Sequence, residues 1–168
     1  MPNIKTKVTT AGGSSYIVDL DYNFKLSPHI AVHEVANKEA KDDIKLILNP
    51  DIERFFVAVE DFRSVLADSK LLNAKVGLKI TSGYRTPAYN AATPGASSNS
   101  DHLKLLALDV MNESFTGTMT DDKRYIIAGL WKSVCSKYGV SGYINFYDNR
   151  FHFGFSEMYG KFYIKDYR

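Results

Sequence analysis

Apolar residues recur at intervals of three and four along one stretch of the chain: Ile52, Phe55, Phe56, Val59, Phe62, Val65 and Leu66. That spacing predicts an amphipathic helix from Pro50 to Leu72 with one core-facing stripe. Pro50 suits the first helical position and Asn49 its cap. A second helix is predicted over Asp121 to Tyr138, with Ile126, Ile127, Leu130, Trp131, Val134 and Cys135 turned inward and Gly139 as the stop. Short apolar runs predict strands at 16–20 (YIVDL), 76–81 (VGLKIT) and 105–110 (LLALDV), and a further apolar run at 44–48 (IKLIL) is stopped by Asn49-Pro50. Residues 141–155 read as two more, SGYINFY and RFHFGF, joined by the hairpin-type pair Asp148-Asn149. Residues 1–14 read as a ragged or weakly strand-forming lead, Ser27-Pro28 as the opening of a short helix, and Lys38 to Asp43 as a solvated charged stretch. The tail YGKFYIKDYR, aromatic and Lys-rich, reads as a final strand on the sheet, with a binding contact as the alternative. Helices before and between strands, with no repeat and no linker, give an α+β fold: one domain over 1–168, a small antiparallel sheet packed against helices.

Size and charge narrow the functional classes. A chain of 168 residues buries roughly 70% of its unfolded surface and needs no staples to fold. Lys plus Arg number 21 against 19 for Asp plus Glu, a net charge of +2. With no basic stripe, nucleic acid is not expected as a partner. No apolar run approaches the roughly 18 residues of a membrane span. The first residues lack the apolar stretch of a signal peptide. The expectation is therefore a chain made in the cytoplasm that stays there unless something other than a signal sequence releases it. The single cysteine, Cys135, allows no intrachain disulfide and reads as a buried helix thiol. The 11 Tyr and 10 Phe suggest a well-packed core and a stacking surface for sugars or peptides.

Three residues stand out chemically, although each alone has an ordinary structural explanation. Asp109 sits inside the apolar run LLALDV, where an ionised carboxylate needs a cation or hydrogen-bond donors. His102 closes a polar loop over 82–101, long enough to suggest a functional segment. It lies seven residues before Asp109, roughly 23 Å if extended, so the chain must fold back for both to reach one ion. His152 lies on the strand face opposite Phe151, Phe153 and Phe155, beside Gly154. Together, two imidazoles and a carboxylate are a sound donor set for a zinc ion with an open fourth position. His29 and His33, four apart, form a rival pair without an acidic partner.

Ser82-Gly83-Tyr84-Arg85, then Asn90, then Ser100-Asp101-His102 with Ala107 and Asp109, resembles the zinc D-alanyl-D-alanine carboxypeptidase family. Its relatives include phage L-alanyl-D-glutamate endopeptidases and the hedgehog signalling domain. That family reads SGYR, a polar loop, SxHxxGxAxD, and later a histidine in an aromatic strand. The segment NFKLSPHIAVHEVA also resembles the one that precedes the long helix in many members, so the likeness runs from about residue 23 to 155. The resemblance implies a hedgehog/DD-peptidase-like fold and a zinc ion on His102, Asp109 and His152. It implies that Arg85 faces the substrate, and that Ser100 supports the substrate or His102. Tyr84 joins Arg85 and Ser100 in the substrate-binding set, with Tyr84 and Asn90 chiefly shaping the loop.

The chain departs from the family pattern at three places. The glycine between the first two ligands falls on Leu105, which must turn in an ordinary backbone conformation unless the turn has moved. The usual base, three residues before the third ligand, falls on Asn149, leaving Asp148 as the general base or merely the aspartate of the turn. The aspartate two residues after the third histidine is Gly154. Glu157 is a weaker base. The leading expectation is a zinc peptidase cleaving peptidoglycan stem peptides, as a DD-carboxypeptidase or an L-Ala-D-Glu or cross-link endopeptidase. It would act as a monomer on the wall after release, in phage lysis or wall penetration, or as a virion component. The alternative is a catalytically impaired zinc-binding, wall-binding or virion-binding module on the same fold.

Overall fold

The computed structural model describes residues 3–9, 15–21, 25–36, 45–48, 50–156 and 160–168. In chain order the strands and helices are β1 (Asn3–Thr9), β2 (Ser15–Asp21), β3 (Lys25–Ser27), β4 (Ile30–Ala31), α1 (Val32–Val35), β5 (Lys45–Leu48), α2 (Pro50–Asp68), β6 (Ile80–Ser82), α3 (Pro87–Ala92), β7 (Ala107–Met111), α4 (Asp121–Lys137), β8 (Gly142–Phe146), β9 (Arg150–Phe155) and β10 (Tyr163–Asp166). Asn49, Lys38 to Asp43 and Glu157 lie outside the described residues. The fold class is α+β, as the pattern predicts.

The main sheet has five strands in the order β10-β8-β9-β7-β6. Its inner pairings are antiparallel, and β10 joins β8 in parallel, so the sheet is mixed at one edge. The tail is thus a strand of the sheet. A second sheet, β2-β1-β5, pairs β1 antiparallel with β2 and parallel with β5. Among the described residues, no helix is long and apolar enough to cross a membrane.

The α2 stripe buries as its spacing dictates: Ile52, Phe55, Phe56, Val59, Phe62 and Leu66 are all in the core. On α4 the inward stripe is Ile127, Ala128, Trp131, Val134 and Cys135, and Ile126 is 55% exposed. The expected inward turn of Ile126 is corrected by helical period: residues 127, 131 and 134 define the stripe, and Ile126 stands about 100° from Ile127. Thr120 caps α4 by accepting from Lys123 N–H at 3.2 Å, and Gly139 at φ 65° ends it. Trp131 sits at the centre, with ring centroids 4.9 Å from Phe153 and 5.2 Å from Phe62. Its indole N–H donates to the Tyr143 carbonyl at 3.0 Å, tying α4 to β8. Cys135 is buried, and burial pushes its thiol up to about 12, so it stays an inert thiol. Phe151, Phe153 and Phe155 all face this core from β9.

Several expected elements are shorter or different. Residues 76–79 are not strand; β6 begins at Ile80, after a turn in which Gly77 holds φ 69°. The long loop holds a helix of its own, α3, capped by Thr86 accepting from Tyr89 N–H at 3.1 Å. Pro28 and His29 form the turn between β3 and β4 rather than a helix start. That turn is locked to α2 by Glu60, which accepts from Ser27 Oγ at 2.7 Å, His29 N–H at 2.8 Å and the His29 ring at 2.9 Å.

Burial alone would raise the Glu60 pKa, but these donors hold it below its ordinary 4.5. A depressed folded value stabilises the fold above pH 4.5, and that contribution is lost as pH falls through the folded value. Glu60→Ala should therefore cost about 1–2 kcal/mol at pH 7. The gap between variant and parent should close on acidification below pH 4.5, read from denaturant midpoints across pH.

Candidate metal centre

The register of the main sheet builds the site. Asp109 on β7 stands directly opposite His152 on β9, and Asn145 on β8 stands on the other side of His152. Because strand side chains alternate, the phenylalanines of β9 enter the core while His152 faces away from it. His102 arrives from a 3-10 turn, Asp101–Lys104, just before β7. Ser100 caps that turn, its Oγ accepting from His102 N–H at 3.3 Å.

The fold-back between the first two residues is made by Leu105, at φ 55° and ψ 39°. The turn has not moved, and the expectation of an ordinary backbone there is corrected: Leu105 takes the left-handed conformation that glycine adopts at no cost. For an L-residue it costs roughly 1–2 kcal/mol. The Leu105 side chain is 1% exposed and belongs to the core, and its burial offsets the strain.

Together His102, Asp109 and His152 form the one group of metal-ligating side chains among the described residues, their ligand atoms all within 4.8 Å of one another. The His102 ring nitrogen Nδ1 lies 2.6 Å from the Gly83 carbonyl, which can only accept, so Nδ1 carries the proton and Nε2 presents a bare lone pair. That Nε2 is buried, has no hydrogen-bond partner and lies 3.5 Å from Asp109 Oδ1. His152 Nδ1 lies 2.7 Å from the same oxygen. An orphaned imidazole nitrogen aimed at a carboxylate and a second imidazole fits a zinc ion.

The electrostatics agree. Burial lowers the His102 pKa, keeping the ring neutral and able to donate its lone pair. Burial would raise Asp109, but the two imidazoles beside it hold its carboxyl well below the usual carboxylate range. Arg85 Nη2 adds positive charge 3.5 Å from Asp109 Oδ2. The site is therefore a neutral imidazole against a committed carboxylate.

Gly83 shows why the SGYR segment matters. A Cβ there would lie 2.7 Å from the Val35 carbonyl oxygen and 2.7 Å from its Cβ. Only a glycine lets this strand end back onto α1 with its own carbonyl turned to His102. Tyr84 N–H donates to Val35 O at 2.7 Å, and Arg85 N–H donates to His102 O at 3.0 Å.

A cleft of about 1250 Å³ opens over the cluster, and Arg85, Ser100, His102, Asp109 and His152 all line it. Tyr84 does not line it; its side chain packs on the core, because neighbouring residues of an extended segment point to opposite sides. Asn90 is buried and donates to Ser97 O at 2.8 Å, holding the loop in shape. Asp148 is exposed at the hairpin tip and is not among the cleft-lining residues; its carbonyl accepts from Asn112 Nδ2 at 3.0 Å. His29 is bound to Glu60 and joins no metal-ligating group with His33.

The sequence pattern does not single out Tyr143 and Asn145, on the His152 side of β8, or Tyr147 just after it, all of which line the cleft. Their alternation was visible, but their cross-strand position depends on how many residues the hairpin turn uses.

A family model described as Peptidase M15 matches residues 30–147, well over half of the chain. The match contains His102 and Asp109 and ends before His152. No curated protein and no solved structure matches the chain.

The cluster should take up one zinc ion per chain, and His102→Ala or His152→Ala should abolish stoichiometric uptake, read by metal analysis after gel filtration. Gly83→Ala should weaken zinc binding although residue 83 offers no side-chain ligand, because a displaced carbonyl releases His102 Nδ1. Unchanged affinity in that variant would refute the role given to the Gly83 carbonyl.

Proposed function

The chain belongs to the peptidase M15 family, and we propose that it is a zinc-dependent peptidase acting on the stem peptides of peptidoglycan. The observation that carries this reading is the bare, unpartnered Nε2 of His102 meeting His152 Nδ1 and Asp109 on a cleft wall. His102, Asp109 and His152 would hold the ion, which when bound supplies Lewis-acid polarisation of a peptide carbonyl and lowers the pKa of water towards roughly 7.

The chain's own residues do the rest. Arg85 sits half-buried beside Asp109, held by its Nε to Ser82 Oγ at 3.3 Å. Its remaining donors suit a substrate carboxylate or a developing oxyanion. Arg54, Lys104 and Arg150 add three more cations to the cleft wall, which suits the acidic groups of a stem peptide. Tyr147 and Arg150 stack, with the guanidinium 4.1 Å from the ring centroid, giving a flat surface for an extended chain. Ser100 contributes by capping the turn that carries His102. We assign the general base to Asp148, which must reach the cleft by movement of the hairpin turn. We place the activity in phage lysis or wall penetration, from the likeness to phage endopeptidases, with the protein acting as a monomer on the wall or carried by a virion. The bond cleaved is D-Ala-D-Ala, L-Ala-D-Glu or a cross-link.

The exposed position of Asp148 favours a second reading, a zinc-holding module that binds wall peptide without cutting it. Digestion of purified peptidoglycan, followed by separation of the products, decides between them. Metal-loaded protein should release new peptide fragments, and chelator should abolish the release. Asp148→Asn should lower kcat by about 10²–10⁴-fold with zinc content unchanged. Product profiles identical to those of untreated wall would sink the peptidase reading, and full activity in Asp148→Asn would move the base elsewhere.

A further inference from the structure

Behind His152, away from the metal-ligating side, the structure holds a hydrogen-bonded chain built from two other residues. Gly154 leaves the space for it. A Cβ on Gly154 would meet Leu106 O at 2.3 Å, Tyr143 Oη at 3.0 Å and Ala107 Cα at 3.1 Å. That space is shared by the Leu106 carbonyl and the Tyr143 hydroxyl, the latter delivered from β8, where Tyr143 pairs with Gly154. Tyr143 is 2% exposed, and its ring stacks on Tyr163 at 5.3 Å. Its Oη lies 2.8 Å from Asp101 Oδ2 and 3.2 Å from His152 Nε2. Asp101 is the residue immediately before His102. One hydroxyl thus links the backbone neighbour of the first ligand to the ring of the third.

Proton counting along this chain gives it a direction. A carboxylate only accepts, so the single Tyr143 proton goes to Asp101. The tyrosine oxygen is then an acceptor towards His152, and Nε2 must carry the ring proton. The other nitrogen, Nδ1, faces Asp109 Oδ1 at 2.7 Å, beside His102 Nε2; with Nε2 protonated it is the nitrogen left for a metal ion, which would take the place of any proton shared with that carboxylate. A neutral imidazole has only one nitrogen free to bind a metal, and the hydrogen bond made by the other nitrogen decides which.

We propose that Tyr143 and Asp101 are positioning residues that hold His152 in the tautomer and ring orientation whose Nδ1 faces the metal, a task performed from the neighbouring strand and the His102 turn because Gly154 offers no side chain. This rests on the zinc reading above. It makes the first and third ligands interdependent: moving the His102 turn moves the acceptor that orients His152.

The test is zinc affinity, measured by competition with a chromophoric chelator, together with ring ¹⁵N shifts of the zinc-loaded protein. Tyr143→Phe removes the acceptor for Nε2–H. Asp101→Ala releases the tyrosine proton towards Nε2 and favours the wrong tautomer. Each should weaken zinc binding by about 10–100-fold. Thermal midpoints of the metal-free proteins should stay close to wild type. In zinc-loaded wild type the His152 ring should be protonated at Nε2. If Tyr143→Phe does not fold, Asp101→Ala decides alone. Wild-type affinity in a folded variant, or a His152 ring protonated at Nδ1 in zinc-loaded wild type, would overturn the proposal while leaving the zinc reading in place. A wild-type protein that takes up no zinc would overturn the zinc reading and this inference with it.

Discussion

The antiparallel pairing of β7 with β9 sets Asp109 directly across from His152, and the functional side of the molecule depends on that register. The same pairing turns Phe151, Phe153 and Phe155 into the core around Trp131. A slip of one residue would send His152 into the aromatic core and a phenylalanine into the cleft. Burial of three aromatic rings therefore also secures the position of a ligand. The energy that holds the register comes from the core face, and the chemistry is displayed on the other.

Electrostatics explain why the cluster is assembled tightly. Asp109 is nearly buried, and an isolated carboxylate there would be costly. Two imidazoles and Arg85 surround it. The left-handed Leu105 is the strained element of the arrangement, and it lies between the two ligands that the chain must fold back to unite. Strain of this kind persists where surrounding structure over-determines it. Here the buried Leu105 side chain, the Ser100 cap and the Asp101 carbonyl, which accepts from Leu106 N–H at 3.1 Å, all pin the turn.

Much of this was legible in the chain. The three- and four-residue spacing of α2 gave its buried face correctly, because a helix has one period and one face. The Ser82-to-Arg85 segment and the His102-to-Asp109 spacing mark the site through their resemblance to the peptidase pattern, and the close backbone approach at Gly83 is the physical demand behind part of it. Ile126 was misassigned because two adjacent isoleucines compete for one stripe, and only the partners of α4 choose between them. Tyr84 was placed with the substrate residues because sequence adjacency to Arg85 hides the alternation of side-chain direction.

By itself the sequence determined the α+β class, the long helix, the aromatic strand and the identity of the residues that converge. The elements follow from local periodicity; the converging residues follow from the donor set of His102, Asp109 and His152 taken together and from the resemblance carried by the Ser82-to-Arg85 and Ser100-to-Asp109 segments. Only the tertiary structure decided which atoms meet. It freed Nε2 of His102 by turning the Gly83 carbonyl to its Nδ1, and it set Asp148 outside the cleft. It also filled the space at Gly154 with the Leu106 carbonyl and a tyrosine from the next strand. Each of these depends on cross-strand register and on backbone approach between segments far apart in sequence, which no local pattern encodes.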